Sequence, residues 1–371
     1  MHLVADRLAL PQASLQNYPV SKQNSLSKQK ANYTVGIDLG GTKVAAALVD
    51  DQGRILSEVH KRTVPPWMQS MDPRRITRRP RKAEVEAHIE YVVSTMAEAA
   101  AEIAEPIRGR MIKGRILGIG LASAGPMNIQ KGTLEYPANF VGWKKVPIVD
   151  LLAQELKQYG FKEKVSFQND AIAAALGEGW IGRAKERQTF ATITVGTGIG
   201  SGVIFNGRPA QFAGMGSEWG HLIANAPGIS MHPETLYERT VEGLASGTGM
   251  IRRAKARGFY GSTTQELATA ARNGDLIARE IFLGASEGLA TLFYGLSLGF
   301  HPEMLIITGG LLGVREFFLP QAIEIYRDLM KRKNPEFLAP VRISKLGNRA
   351  GVIGAARLPW LEAYEKSKTL K

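Results

Sequence analysis

Short apolar runs broken by glycine dominate the first part of the chain. Thr34-Val35-Gly36-Ile37-Asp38 and Val44-Ala45-Ala46-Ala47-Leu48-Val49 read as two strands, and the glycines between them close a tight hairpin. A third strand is expected near 54–60. The period then changes. Val85, Ile89, Val92, Met96 and Ile103 recur on one broad face and predict a helix over Glu84–Ala104. Ile116–Leu121 returns to a strand pattern and runs into the loop Ala122-Ser123-Ala124-Gly125-Pro126.

From about residue 150 a similar programme restarts. Val165–Gln168 reads as a strand, and Asn169-Asp170 opens a helix over Ala171–Gly179. Phe190–Val195 and Gly202–Phe205 read as strands flanking a second glycine turn, Gly196-Thr197-Gly198-Ile199-Gly200-Ser201. Met304–Thr308 is a late strand ending in Gly309-Gly310, and a small-residue helix begins near Gly351. The division read from this pattern is a disordered, Gln-, Ser- and Lys-rich tail over 1–32, then two domains. A small α/β domain comprises 33–149 plus 351–371, and a larger one comprises 150–350.

Composition narrows the class. Of 371 residues, 44% are hydrophobic and 22% charged, which is the balance of a soluble globular protein with room for two cores. There is no apolar run of membrane-spanning length and no apolar leader before Asn32, so a cytoplasmic location without membrane contact is expected. With no cysteine, disulfides and thiolate metal sites are excluded. The net charge of +13 raises nucleic acid as a partner. Much of that excess is local: Lys61, Arg62, Arg74, Arg75, Arg78, Arg79, Arg81 and Lys82 face one acid, Asp72, in a proline-rich stretch. It reads as a solvated loop or as a site for a polyanion or acidic partner.

The candidate chemistry sits at the turns. Gly40 and Gly41 let backbone N–H groups approach an anion, while Thr42 and Lys43 can donate to phosphate oxygens. Asp38, at the strand end, suits a hydrated Mg2+. An isolated turn of this kind is equally compatible with an ordinary hairpin, so its downstream partners matter. Gly196, Thr197 and Gly198 offer a second phosphate turn. Asp170, at a strand end beside a helix N-terminus, is placed as a general base or, alternatively, as a helix cap. No G-x-x-x-x-G-K-[ST] occurs, which excludes a P-loop enzyme.

Taken together and in this order, Asp38–Lys43, Asn169-Asp170, Gly196–Gly200 and Thr308-Gly309-Gly310 resemble the ROK family of sugar kinases and repressors, within the actin–hexokinase superfamily. The likeness runs from about Tyr33 to the last helix. It implies a two-domain actin-like ATPase (ribonuclease H-like) α/β fold with a ligand cleft between the domains. It also implies ATP as co-substrate, Mg2+ held through water by Asp38, and Gly309-Gly310-Leu311 as the turn that contacts adenosine. The sugar contacts it implies are Asn139, Asn169, Asp170, Glu218, His221 and Glu242, with Glu238 a competing choice for the last. A homodimer formed through the larger domain is a further implication.

One departure is plain. Many family members hold a structural zinc with the histidine matching His221 and three cysteines. Those three positions here are Pro233, Thr235 and Thr240, so no zinc is expected. The reading that follows is an ATP-dependent hexose kinase, with glucose to glucose 6-phosphate as the leading reaction. The alternatives are a polyphosphate-dependent glucokinase and a non-catalytic sugar-sensing regulator. Family repressors carry a helix-turn-helix domain before the sugar domain, whereas the 32 residues before the first strand show no two-helix pattern. No specific nucleic-acid partner is therefore expected.

Overall fold

The computed structural model describes residues 31–72, 78–211, 218–224 and 236–369. Residues 1–30 of the expected tail, Arg74 and Arg75 of the basic loop, and Pro233 and Thr235 lie outside the described residues.

Two sheets share one strand plan. In the first, β1 (Asn32–Leu39), β2 (Lys43–Asp50) and β3 (Ile55–Arg62) form an antiparallel meander. The helix α1 (Lys82–Arg108) then carries the chain to β4 (Arg115–Ser123), which lies parallel to β1. A small sheet of β5 (Met127–Asn128), β6 (Thr133–Glu135) and β7 (Lys145–Val146) and the helix α2 (Ile148–Leu156) lead to β8 (Val165–Asn169), parallel to β4. The spatial order is β3-β2-β1-β4-β8. The helix α3 (Asp170–Ile181) crosses to the second sheet of β9 (Phe190–Val195), β10 (Ile199–Phe205) and β11 (Arg208–Pro209). Among the described residues there follow the helices α4 (Val241–Ala245), α5 (Gly247–Ala256), α6 (Thr264–Arg272) and α7 (Leu276–Phe300). Then come β12 (Leu305–Thr308), α8 (Leu319–Lys333), β13 (Val341–Ile343) and the last helix α9 (Ala350–Thr369). The second order, β11-β10-β9-β12-β13, repeats the first, with β9, β12 and β13 parallel.

The Val165–Asn169 strand, grouped with the second half in the sequence reading, is the fifth strand of the first sheet. Ile148, Leu152 and Leu156 of α2 likewise pack into the first core with Val92, Met96 and Ile103 of α1. The continuity of apolar residues across this stretch does not show which sheet a strand joins. Only the pairing partner does.

The two halves meet at α3 and α9, and small residues make the meeting close. A β-carbon on Gly354 would lie 1.6 Å from the carbonyl oxygen of Ala173, and one on Gly177 would lie 2.5 Å from that of Ala350. On its other side α9 presses on the first sheet, where a β-carbon on Gly120 would fall 1.8 Å from the Ala355 carbonyl. The helix thus returns to the first half, as its small-residue pattern predicts.

The second core is built around α7, whose Ile281, Phe282, Leu289, Phe293 and Leu296 are all buried. This helix is apolar enough to pass as a membrane span by composition, but two-thirds of the relevant stretch (67%) is covered by protein. In the basic stretch, Lys61 pairs with Glu102, Lys82 with Glu86, and Arg78 and Arg81 both with Glu84. Each of these partners lies on α1, so four of the described cations are matched by acids one helix away.

Candidate active site

Parallel strands bring the predicted residues to one edge. Asp38 on β1 is in register with Ala122 on β4, which is in register with Gln168 on β8. Asp38 and the Asn169-Asp170 pair therefore sit at the carboxyl ends of strands separated by one intervening strand, about 10 Å at ordinary strand spacing. In an open α/β sheet this is the edge where ligands bind. The second sheet does the same: Thr308 on β12 is in register with Thr194 on β9, so Gly309-Gly310 lies beside Gly196.

The first turn, Gly40–Lys43, is closed by the Gly40 N–H donating to the Lys43 carbonyl at 3.0 Å. Asn139 lies directly on it. A β-carbon on Gly41 would sit 2.7 Å from the Asn139 carbonyl oxygen, so only glycine allows this approach. The second turn is shorter than expected, because β10 already begins at Ile199 and only residues 196–198 form the loop. It is tied to neighbouring elements: the Gly247 N–H donates to the Gly196 carbonyl at 2.8 Å, and a β-carbon on Gly247 would lie 3.6 Å from the Leu311 side chain. The second turn, the start of α5 and the Gly309-Gly310-Leu311 segment therefore form one cluster. Gly309 has φ of +113°, and its Cα face presses on Val195, so this turn also requires glycine.

Asn169, rather than Asp170, caps α3. Its Oδ1 accepts from the N–H groups of Ala171 and Ile172, while Asp170 is the first residue of the helix. Asp170 Oδ1 accepts from the Ala171 N–H at 2.7 Å. The surrounding protein strips water from this carboxylate and raises its pKa, partly offset by that N–H. Asp38 is shifted in the same direction. Desolvation first, and then the negative charge of Asp170, push its carboxyl up to about 7, while Lys43 acts in the opposite direction. The two carboxylates thus sense each other across the strand edge.

Glu218 precedes the short turn Trp219–His221, and its backbone carbonyl accepts from the His221 N–H at 3.1 Å. Desolvation raises its pKa; His221 lowers it, while Asp170 and Glu242 raise it further. A β-carbon on Gly125 would lie 3.7 Å from Glu218 Oε1 and 3.8 Å from Asn169 Nδ2. The loop after β4 is therefore a wall of the same site, which the sequence reading did not assign.

Glu242 is held at the second turn, within reach of the charge on Glu218. Its Oε2 accepts from the Ile199 N–H at 2.8 Å and its Oε1 from the Tyr237 hydroxyl at 3.0 Å. It lies beneath Gly198 and braces the second turn from below. Desolvation, with Glu242 alongside, pushes the Tyr237 phenol up to about 12, keeping it a donor. Tyr237 thus acts on this turn through its hydroxyl. Glu238, the competing choice, is half-exposed and pairs with Arg252 at 3.3 Å. Thr240, at one of the expected cysteine positions, caps α4 by accepting from the Gly243 N–H and donates to the Tyr237 carbonyl at 2.7 Å.

Residues 34–360 match the model of the ROK family. A glucokinase of Streptomyces coelicolor is 30% identical over 354 residues, covering 88% of this chain and 96% of its own. The crystal structure of a ROK hexokinase from Thermus thermophilus is 31% identical and superposes with a TM-score of 0.71, covering 90% of this chain and 99% of its own. A ROK glucokinase from Streptomyces griseus, solved with glucose and AMPPNP, is 26% identical with a TM-score of 0.65, covering 88% of this chain and 98% of its own. The fold is that of the two-domain actin-like ATPases.

Proposed function

The chain belongs to the ROK family, and we propose that it is an ATP-dependent sugar kinase that converts glucose to glucose 6-phosphate. What supports this is that Asp170 and the Asn139-backed first turn share the carboxyl edge of one sheet, while Gly196 and Gly309-Gly310 share the equivalent edge of the other.

In this reading Asp170 accepts the proton of the sugar hydroxyl as its oxygen attacks the γ-phosphorus and the bond to the β-phosphate oxygen breaks. The carboxylate's raised pKa makes it a better proton acceptor than a solvated aspartate. The side chains of Asn139, Asn169, Glu218 and His221 hold the sugar's other hydroxyls. With Asn169 Oδ1 engaged in the cap, its amide Nδ2 is the end left for a ligand. Glu242 serves by bracing the second phosphate turn rather than by touching the sugar. Backbone N–H groups of Gly40, Gly41, Gly196, Thr197 and Gly198 receive phosphate oxygens, Thr42 and Lys43 add donors, and Gly309-Gly310 receives adenosine.

The carboxylate of Asp38, desolvated and lacking a full counter-charge, fits a divalent cation. Mg2+ held there through water would neutralise charge on the phosphates. A cytoplasmic homodimer belongs to the same reading.

The test is a coupled assay of the purified protein over a panel of hexoses, with MgATP and separately with polyphosphate. Turnover of glucose with MgATP is expected. Failure to consume ATP with every common hexose would overturn the reading, and turnover with polyphosphate alone would change the donor.

A further inference from the structure

His88 is fully buried in the middle of α1, and neither the sequence reading nor the proposed chemistry uses it. Both ring nitrogens are engaged. The Trp143 Nε1–H donates to His88 Nδ1 at 3.2 Å, and His88 Nε2 lies 2.8 Å from the Thr63 carbonyl oxygen. An indole nitrogen can only donate, so Nδ1 is the acceptor; the proton must then be on Nε2, which donates to Thr63. Desolvation also lowers the pKa of this ring, so the neutral form that makes both bonds is favoured.

Each bond leads to a different part of the site. On one side, the Thr63 N–H donates to the carbonyl of Thr42, in the first glycine turn, at 3.2 Å. On the other, Trp143 stacks on Phe140 with ring centroids 4.5 Å apart, and its N–H donates to the Phe140 carbonyl. Phe140 in turn closes the Pro137–Phe140 turn that presents Asn139, by donating to the Pro137 carbonyl at 3.1 Å. Asn139 and the glycine turn themselves touch at Gly41. One imidazole therefore links the segment that carries Thr42 to the segment that carries Asn139.

We propose that His88 is a positioning residue that locks the sugar-contacting loop at Asn139 to the phosphate turn at Gly40–Lys43. The roles of those two segments rest on the kinase reading, whereas the mechanical link does not.

Amide hydrogen exchange on the full chain without ligands tests the link directly. His88→Phe, which keeps an aromatic ring but removes both bonds, is expected to speed exchange in 39–43 and in 137–143 while leaving 190–205 unchanged. Trp143→Phe keeps the stack on Phe140 but removes one bond, and is expected to speed exchange in 137–143 alone. Wild-type protection of both segments in either variant, or loosening that extends equally to 190–205, would overturn the proposal. Should His88→Phe not fold, Trp143→Phe decides by the same criterion.

Steady-state kinetics with glucose and MgATP add the role. Trp143→Phe should raise KM for glucose about tenfold, the scale of one lost hydrogen bond, with kcat much less affected. His88→Phe should raise KM for both substrates. Lower thermal stability with both KM values unchanged would reduce His88 to a core residue and overturn the positioning role. If the exchange pattern is as expected but the wild type does not phosphorylate glucose, the link stands and the kinase reading falls.

Discussion

Asn169 caps the helix that Asp170 begins. Asn169 Oδ1 accepts from Ala171 at 3.0 Å and from Ile172 at 3.2 Å, which leaves Asp170 free of the capping role that its position would otherwise allow.

Asp170→Asn is expected to lower kcat by about 10²- to 10⁴-fold, the range for loss of a general base, while leaving glucose affinity near wild type. Near-normal turnover in the coupled assay would remove Asp170 from the reaction.

Asn169→Ala should destabilise the protein by about 1 kcal/mol through the lost cap and also weaken sugar binding. Asn169→Ser keeps a capping oxygen but loses the amide donor, so it should recover most of the stability without the affinity. Chemical denaturation and glucose titration separate the two effects. Equal recovery of both by serine would mean the amide does not touch the sugar.

Asp38 should make the metal-free protein less stable as pH rises. Folding raises its pKa from 3.8 to about 7, so between those values the native state holds a proton that the unfolded chain has released. Its contribution to stability therefore falls through that window and is lowest above about pH 7. Asp38→Asn removes the ionising group and should raise the thermal midpoint more at about pH 8 than at about pH 4. A gain of the same size at both would show that desolvation of Asp38 is not the cause.

The purified protein should carry no stoichiometric zinc. Thr240 stands at one family cysteine position and uses its hydroxyl to cap α4 and to donate to the Tyr237 carbonyl. Elemental analysis showing about one zinc per chain would contradict this.

α3 and α9 cross so closely at Gly354 that a β-carbon there would fall 1.6 Å from the Ala173 carbonyl oxygen, and we propose this crossing as the pivot between the halves. Saturating glucose should compact the protein in solution scattering, and nucleotide alone should do so less. Identical profiles with and without glucose would leave the cleft rigid. Gly354→Ala should cost about 1–3 kcal/mol or more, since backbone rather than a flexible side chain must move.

The sequence by itself determined most of the elements and the turn chemistry. Apolar runs with glycine at one end marked β1, β2, β9 and β12, because a strand buried on both faces needs such runs and its turn needs backbone freedom. A periodic face marked α1, although the helix extends to Lys82–Arg108, beyond its last regular apolar position. The two glycine turns and Gly309-Gly310 were legible for the same local reason, and Asn169-Asp170 as a polar pair between a strand and a helix. What only the tertiary structure decided depends on partners far apart in the chain. That β8 completes the first sheet is a fact of its pairing with β4. That Glu242 braces a turn while Glu238 faces solvent depends on where Ile199 and Tyr237 come to rest. His88 fell on the apolar face of α1 and had no local signal to distinguish it. Its two bonds, to residues 25 positions before it and 55 after it, exist only once the sheet and the Asn139 loop have been assembled around it.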